Sequence, residues 1–294
     1  MHKINSCPIC KGTSFSHFLT CKDHTVSKED FDIVKCDACG FLFTNPIPDL
    51  NRLGEYYKAE AYVSHTSSSK GLINFLYQKV RKRTLKQKVA LVKSWSKGNR
   101  LLDFGCGTGH FLGQARAAGF EVTGIEPDAD ARKLALELNQ VTAKTREEMS
   151  SISDRFDMIT LWHVLEHLPE LNEDIDRILS LLKADGTLLI AVPNPSSGDA
   201  LRYGANWAGY DVPRHLYHFS PEAIRDLMAR HGLKLCATLP MKYDAYYVSM
   251  LSEKSMGGGV LKGFLNGFRS NRKARAGGTW SSQIYLFQRN EPLS

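Results

Sequence analysis

The stretch Leu101-Leu102-Asp103-Phe104-Gly105-Cys106-Gly107-Thr108-Gly109 constrains the fold more than any other part of the chain. A short, mostly apolar run enters a turn with glycine at alternate positions, and His110 then opens a segment with helical spacing. Glycine is required where backbone takes a positive φ or must pass a ligand without a Cβ in the way. From Arg100 onward, strand-like and helix-like segments alternate, the pattern of a parallel sheet with helices on its faces. The α/β reading predicts strands over Leu101–Phe104, Glu121–Ile125, Phe156–Leu161, Thr187–Val192, Leu233–Leu239 and Gln283–Phe287. Helices are expected over His110–Ala118, Ala129–Asn139, Glu173–Leu182 and Pro221–His231. A Gly-rich, basic insert at Gly257–Gly278 is expected to form a mobile flap or surface loop.

A second constraint lies at the N-terminus. Cys7-Pro-Ile-Cys10 and Cys36-Asp-Ala-Cys39 are two CxxC pairs with 25 residues between them. Each pair can turn two thiolates toward one point, and two pairs complete a tetrahedral sulfur cage for zinc. Gly12 and Gly40 follow the pairs and suit such tight knuckles. A four-cysteine site leaves no position open for water, so this zinc is expected to be structural. His17, Cys21 and His24 lie between the pairs as substitute ligands. The opening residues MHKINSCPIC contain no apolar secretion segment, and no run of about 18 apolar residues suggests a membrane span. With paired cysteines and no export signal, the protein is read as cytoplasmic.

The domain division follows from these two features. Residues 1–48 form a zinc-ribbon module, and residues 49–98 a helical linker or cap with amphipathic basic helices between Leu72 and Trp95. Residues 99–294 form the sheet domain, carrying the insert at 257–278. Lys and Arg outnumber Asp and Glu by 38 to 31, giving +7, which suits an anionic substrate but falls short of a dedicated nucleic-acid protein.

The glycine spacing G-x-G-x-G differs from the G-x-G-x-x-G of dinucleotide-binding turns, and an acidic residue precedes it in the strand. Together with Glu126 in Val122-Thr-Gly-Ile-Glu126-Pro-Asp128, it resembles the first two motifs of class I S-adenosylmethionine-dependent methyltransferases. Phe156-Asp157-Met-Ile-Thr-Leu-Trp162-His163 and Asp185-Gly186-Thr-Leu-Leu-Ile-Ala-Val-Pro193-Asn194 resemble that family's fourth and fifth strand motifs. The resemblance implies a Rossmann-like, mostly parallel sheet of seven strands with an antiparallel last strand. It implies that Asp103 faces the methionine amino end, that Gly105, Cys106 and Gly107 give backbone contacts, and that Glu126 holds the ribose. Trp162 and His163 would border the cofactor, and Glu147 is the adenine candidate.

Methyl transfer needs a positioned acceptor and, in many cases, a base. Asp211-Val-Pro-Arg214-His215-Leu-Tyr217-His218-Phe-Ser220 offers His218 or His215 as that base, with Arg214 available to an anionic acceptor group. Tyr57, Tyr62 and Tyr203 are candidate walls of an acceptor pocket, with aromatic packing the alternative for each. The run His215-x-x-His218-Phe-Ser is also similar to a segment of zinc-containing sugar C-methyltransferases, although Tyr217 stands where those relatives carry Glu and their C-terminal domain is lacking. His163-Val-Leu-Glu166-His167 matches an inverted zinc-protease pattern, but it leaves a strand rather than lying on a helix and is set aside. The leading reading is methyl transfer to oxygen or carbon of a small molecule such as a sugar, glycan or cell-envelope precursor. An RNA methyltransferase using the zinc module for RNA, and a non-catalytic cofactor-binding regulator, are the alternatives.

Overall fold

The computed structural model describes residues 1–57 and 72–290. Tyr62 and the Ser-rich break Ser67–Ser69 lie outside the described residues. The chain forms two compact units, one of Met1–Ala59, His163–Asn172 and Ala191–Tyr285, the other of Glu60–Trp162, Glu173–Ile190 and Leu286–Ser294. The grouping follows space rather than chain order, so the cysteine-rich segment shares a unit with residues far downstream.

In the first unit, β1 (Phe15–Lys22), β2 (Asp30–Cys36) and β3 (Leu42–Thr44) form an antiparallel meander. Alternation along β2 sends Phe31 and Ile33 inward, where they pack with Cys21, Tyr56, Tyr203, Trp207 and Tyr210 in one apolar cluster. Cys21 is thus a core residue rather than a metal ligand.

The glycine turn sits in the second unit. Helix α1 (Leu72–Trp95) is one uninterrupted helix. Strand β4 (Arg100–Phe104) leads through the turn to α2 (His110–Ala117), then β5 (Glu121–Ile125), α3 (Ala129–Asn139) and a two-residue β6 (Ala143–Lys144). Asp128 caps α3 by accepting the Ala131 N–H at 2.7 Å. Strand β7 (Phe156–Trp162), helix α4 (Leu171–Ser180) and strand β8 (Leu182–Pro193) follow. β4 pairs in parallel with both β5 and β7, and β5 with β6. Burial of nearly every residue of β4 and β7 explains why these strands read as continuous apolar runs rather than alternating ones.

The remaining elements are α5 (Gly198–Tyr203), β9 (Tyr217–His218), α6 (Pro221–Arg230), β10 (Leu233–Pro240), α7 (Asp244–Ser255), α8 (Val260–Gly277) and β11 (Ser282–Arg289). The large sheet has the order β10-β11-β8-β7-β4-β5-β6, a seven-stranded mixed sheet with antiparallel last strands, as expected for a Rossmann-like methyltransferase. β9 adds a fourth strand to the N-terminal sheet by pairing with β3, Leu42 opposite His218 and Phe43 opposite Tyr217. Among the described residues no helix is long and apolar enough to cross a membrane.

The insert at 257–278 is not a loop. It supplies most of a helical hairpin, α7 and α8, joined through Gly257, Gly258 and Gly259. Its internal glycines are contact positions: a Cβ at Gly263 would come within 2.5 Å of Met250 Cα, and one at Gly267 within 2.7 Å of Tyr246 Cα. Glycine therefore permits close helix approach here rather than chain flexibility. Asn266 donates to Tyr203 Oη and Glu253 Oε1, each at 2.9 Å, and Ser270 donates to Asp199 at 2.7 Å, so the hairpin is pinned by buried polar contacts.

Candidate functional site

The strand β4 ends in backbone that only glycine adopts easily. Gly105, Gly107 and Gly109 all have positive φ, at 75°, 53° and 73°. A Cβ at Gly107 would meet nothing within 4 Å, so this glycine borders open space, whereas one at Gly109 would press on Ala135 at 3.1 Å. Gly105 and Cys106 donate their N–H groups to Ile125 O at 2.7 and 3.0 Å. Gly107 N–H goes to Glu126 Oε2 at 2.8 Å, and Asp128 N–H to Glu126 Oε1 at 3.0 Å. The amide groups of Gly105, Cys106 and Gly107 are therefore spent inside the protein.

Two carboxyl groups are buried beside the turn. Burial pushes the Asp103 carboxyl up to about 7, against the hydrogen bond from Thr160 Oγ1 at 2.6 Å and the nearby Lys88 ammonium. Burial also raises Glu126, against its two backbone N–H donors. Trp162 closes β7 with Lys88 Nζ 4.0 Å from its ring centroid and Phe111 edge-on at 5.6 Å. Its buried Nε1 has no hydrogen-bond partner among the described residues. Glu147 stands exposed in a short 3-10 turn, Glu147–Ser151.

A second group of ionisable side chains gathers in the other unit. Glu166 lies fully buried on the single turn Leu165–His167, and neither carboxylate oxygen has a hydrogen-bond partner among the described residues. His163 Nδ1 is 3.5 Å from Glu166 Oε1, and its Nε2 is 3.0 Å from Asp244 Oδ2. Burial disfavours its charge, but these two carboxylates outweigh that and push His163 up to about 9. With φ at 58°, His163 turns toward these acids, and its ring contacts lie with them.

His167 and His215 meet edge to face at 4.6 Å. His167 Nδ1 lies 2.9 Å from Arg214 O and 3.0 Å from Tyr57 Oη. Burial and the neighbouring His215 bring His167 down to about 4. His215 Nδ1 donates to Gly209 O at 2.9 Å, and its Nε2 lies 4.0 Å from both Glu166 Oε1 and Asp211 Oδ2. One ligand-type atom each from Glu166, His167 and His215 falls within 4.8 Å of the others. His163 does not join them, so the H-x-x-E-H pattern does not form its own cluster.

His218 is placed differently. It is buried in β9, with Nε2 3.3 Å from Thr44 Oγ1 and its ring against Tyr210 at 5.2 Å, and burial pushes it down to about 3. Arg214, expected to meet an anionic acceptor, is instead enclosed by Asp23, Asp211 and the Tyr56 carbonyl. A guanidinium whose charge is already matched inside the core has nothing left for a ligand. Tyr203 donates to Glu253 at 3.2 Å within the hairpin core, while Tyr57 does reach the histidine group. The partners Glu166, Asp211 and Asp244 were not singled out from sequence. Only the H-x-x-E-H spacing hinted at Glu166.

The four cysteines of the N-terminal module converge as expected. Cys7 Sγ lies 3.6 Å from Cys39 Sγ and Cys10 Sγ 3.5 Å from Cys36 Sγ, near the roughly 3.8 Å edge of a tetrahedron with Zn–S bonds of about 2.3 Å. Lys11 (φ 64°) and Gly40 (φ 75°) make the left-handed turns that close the two knuckles. Gly12 keeps room beside Cys10 Sγ, where a Cβ would sit 3.3 Å away.

Comparison with known proteins shows the family and the fold. The family described as "Methyltransferase domain" matches residues 77–238. The chain belongs to this methyltransferase family. It is 37% identical over 109 residues to a ubiquinone biosynthesis O-methyltransferase of Glaesserella parasuis serovar 5, covering 33% of this chain and 46% of that protein. It is 29% identical over 146 residues to the ubiquinone biosynthesis O-methyltransferase of Nitrobacter winogradskyi, covering 46% and 54%. The chain thus spans about half the length of the curated relatives it matches. Among solved structures, the magnesium protoporphyrin IX methyltransferase of Synechocystis PCC 6803 with bound SAH has the same fold at a TM-score of 0.54 and 18% identity, over 82% of this chain and all of that one.

Replacing Asp244 by Asn removes one of the two carboxylates holding His163 charged. The expected result, read by NMR titration of the imidazole, is a midpoint that falls from about 9 toward the ordinary 6.5. Because the folded value is raised, the ion pair stabilises fully below pH 6.5 and fades as pH rises to about 9, so the variant should lose stability near pH 6 and not above pH 9.

Proposed function

We propose that this chain transfers the methyl group of S-adenosylmethionine to a hydroxyl oxygen of a small molecule. The observation that carries this reading is Glu126, a buried carboxylate tied by Gly107 and Asp128 N–H groups to the open-faced glycine turn. Each of its oxygens keeps a further lone pair for a ribose hydroxyl. Asp103 and Glu126 are two buried acids whose ionisation is disfavoured by burial, so a cationic ligand that restores their charge gains binding energy from both. The glycine turn, Asp103, Glu126 and Trp162 would hold that ligand. When bound, it supplies an electrophilic methyl on sulfonium sulfur. The O-methyltransferase names of the sequence relatives favour oxygen as the accepting atom.

In this reading His215 is the base. Its Nδ1–H is fixed on Gly209 O, so Nε2 is set to take the acceptor hydroxyl proton as the oxygen forms its bond to carbon and the carbon–sulfur bond breaks. Glu166 and Asp211, each 4.0 Å from Nε2, stabilise the imidazolium that results. His167, brought down to about 4, stays neutral at pH 7 and can orient the acceptor without competing for its proton. His218, held near 3 by burial, is too weak a base at neutral pH and secures β9 against Thr44 instead. The sulfur cage at Cys7, Cys10, Cys36 and Cys39 fits structural zinc, which fixes the module that carries β3 and hence β9.

Three outcomes are expected. Glu126→Ala weakens S-adenosylmethionine binding in calorimetry by about 1–3 kcal/mol, the scale of a lost charged hydrogen bond. His215→Ala lowers turnover by about 100-fold or more at unchanged cofactor affinity, and more than His218→Ala does; near wild-type turnover would remove His215 as the base. Metal analysis finds about one zinc per chain, and chelation unfolds the cysteine module.

A further inference from the structure

Helix α8 is amphipathic with its faces reversed. Its buried side consists of Gly263, Asn266, Gly267, Ser270, Asn271 and Ala274, small or polar residues that fit against α7. Its apolar residues point the other way: Val260, Leu261, Phe264, Leu265 and Phe268 are between 47% and 73% exposed. At about 100° per residue these five fall within an arc of roughly 140°. Phe264 stacks on Tyr246 of α7 at 4.8 Å, which ties this exposed face to α7. Soluble surfaces rarely leave so many large apolar residues together without an occupant.

The charge on the same helix identifies that occupant. Lys262, Arg269, Arg272, Lys273 and Arg275 are exposed, and α8 contains no Asp or Glu. Lys262 pairs with Glu253 at 3.0 Å, but no carboxylate pairs with the other four among the described residues. Apolar anchors fill the first half of α8, and cations with no carboxylate partner among the described residues fill the second. A second copy of the chain would bring like charges together at this face. An anionic bilayer surface takes both halves, with Phe and Leu side chains entering the acyl boundary and Arg and Lys meeting phosphate headgroups.

We infer that the α7–α8 hairpin is a docking surface for an anionic lipid membrane, seating the protein on the bilayer without crossing it. The exposed apolar and basic residues of α8 are not part of the cofactor or histidine groups, so the inference stands or falls apart from the catalytic reading. The test is flotation of the full-length protein with vesicles containing phosphatidylglycerol and with vesicles of phosphatidylcholine alone. Two variants accompany the wild type, Leu261→Ser/Phe268→Ser and Arg269→Glu/Arg272→Glu/Lys273→Glu, with circular dichroism and thermal melting used to confirm folding. The wild type should float with the anionic vesicles and not the neutral ones, and each variant should bind at least about tenfold more weakly. Absence of wild-type flotation on anionic vesicles, equal flotation on both kinds, or unchanged binding by the folded variants would overturn the inference. So would a wild-type dimer in light scattering that dissociates in Leu261→Ser/Phe268→Ser, since a second copy would then cover the face.

Discussion

Glu126 and the two N–H groups it accepts hold the cofactor half together. A buried carboxylate is costly unless its charge is met by donors, and here Gly107 and Asp128 provide them at 2.8 and 3.0 Å. One side chain at the end of β5 thereby fixes the turn after β4 and the start of α3. The same contact explains the glycine spacing. Gly107 must take a positive φ to aim its N–H at Glu126, and it must lack a Cβ to leave the space beside it open. Gly124 serves the same arrangement from the strand side, since a Cβ there would come within 2.6 Å of Cys106 Sγ.

The histidine group of the first unit works by a different balance. The Glu166 carboxylate has no hydrogen-bond partner among the described residues; burial disfavours its charge, and the protonated His163 beside it at 3.5 Å outweighs that and holds it ionised. His163 stays protonated because Asp244 and Glu166 flank it, while His167 stays neutral because burial and His215 disfavour its charge. Two histidines four residues apart in sequence thus sit on opposite sides of neutrality. Environment, not residue type, decides which can hold a proton and which can orient a polar group. Arg214 performs a structural role in the same region, tying Asp23 of the cysteine-rich segment to Asp211.

Much of this was legible from sequence, for identifiable reasons. The strands β4, β5 and β7 and the helix α3 were readable because buried parallel strands are continuous apolar runs and Asp128 is a strong cap. The convergence of the four cysteines was readable because they lie in two local pairs. What failed were features whose cause lies far along the chain. Gly263 and Gly267 read as loop residues, and only the approach of α7 shows that they make a helix interface. Arg214 read as a ligand contact because its partner Asp23 lies 191 residues away. His218 and His215 both read as candidate bases, and only the pairing of β9 with β3 shows that His218 is buried in a strand.

The most direct test of the central claim is hydrogen–deuterium exchange of the purified protein with and without S-adenosylhomocysteine, followed peptide by peptide. Occupancy of the crevice beside the glycine turn should slow exchange over Gly105–Gly109 and Glu126–Asp128 and leave the cysteine knuckles unchanged. Unaltered exchange at both segments under saturating ligand, or protection confined to other parts of the chain, would contradict it.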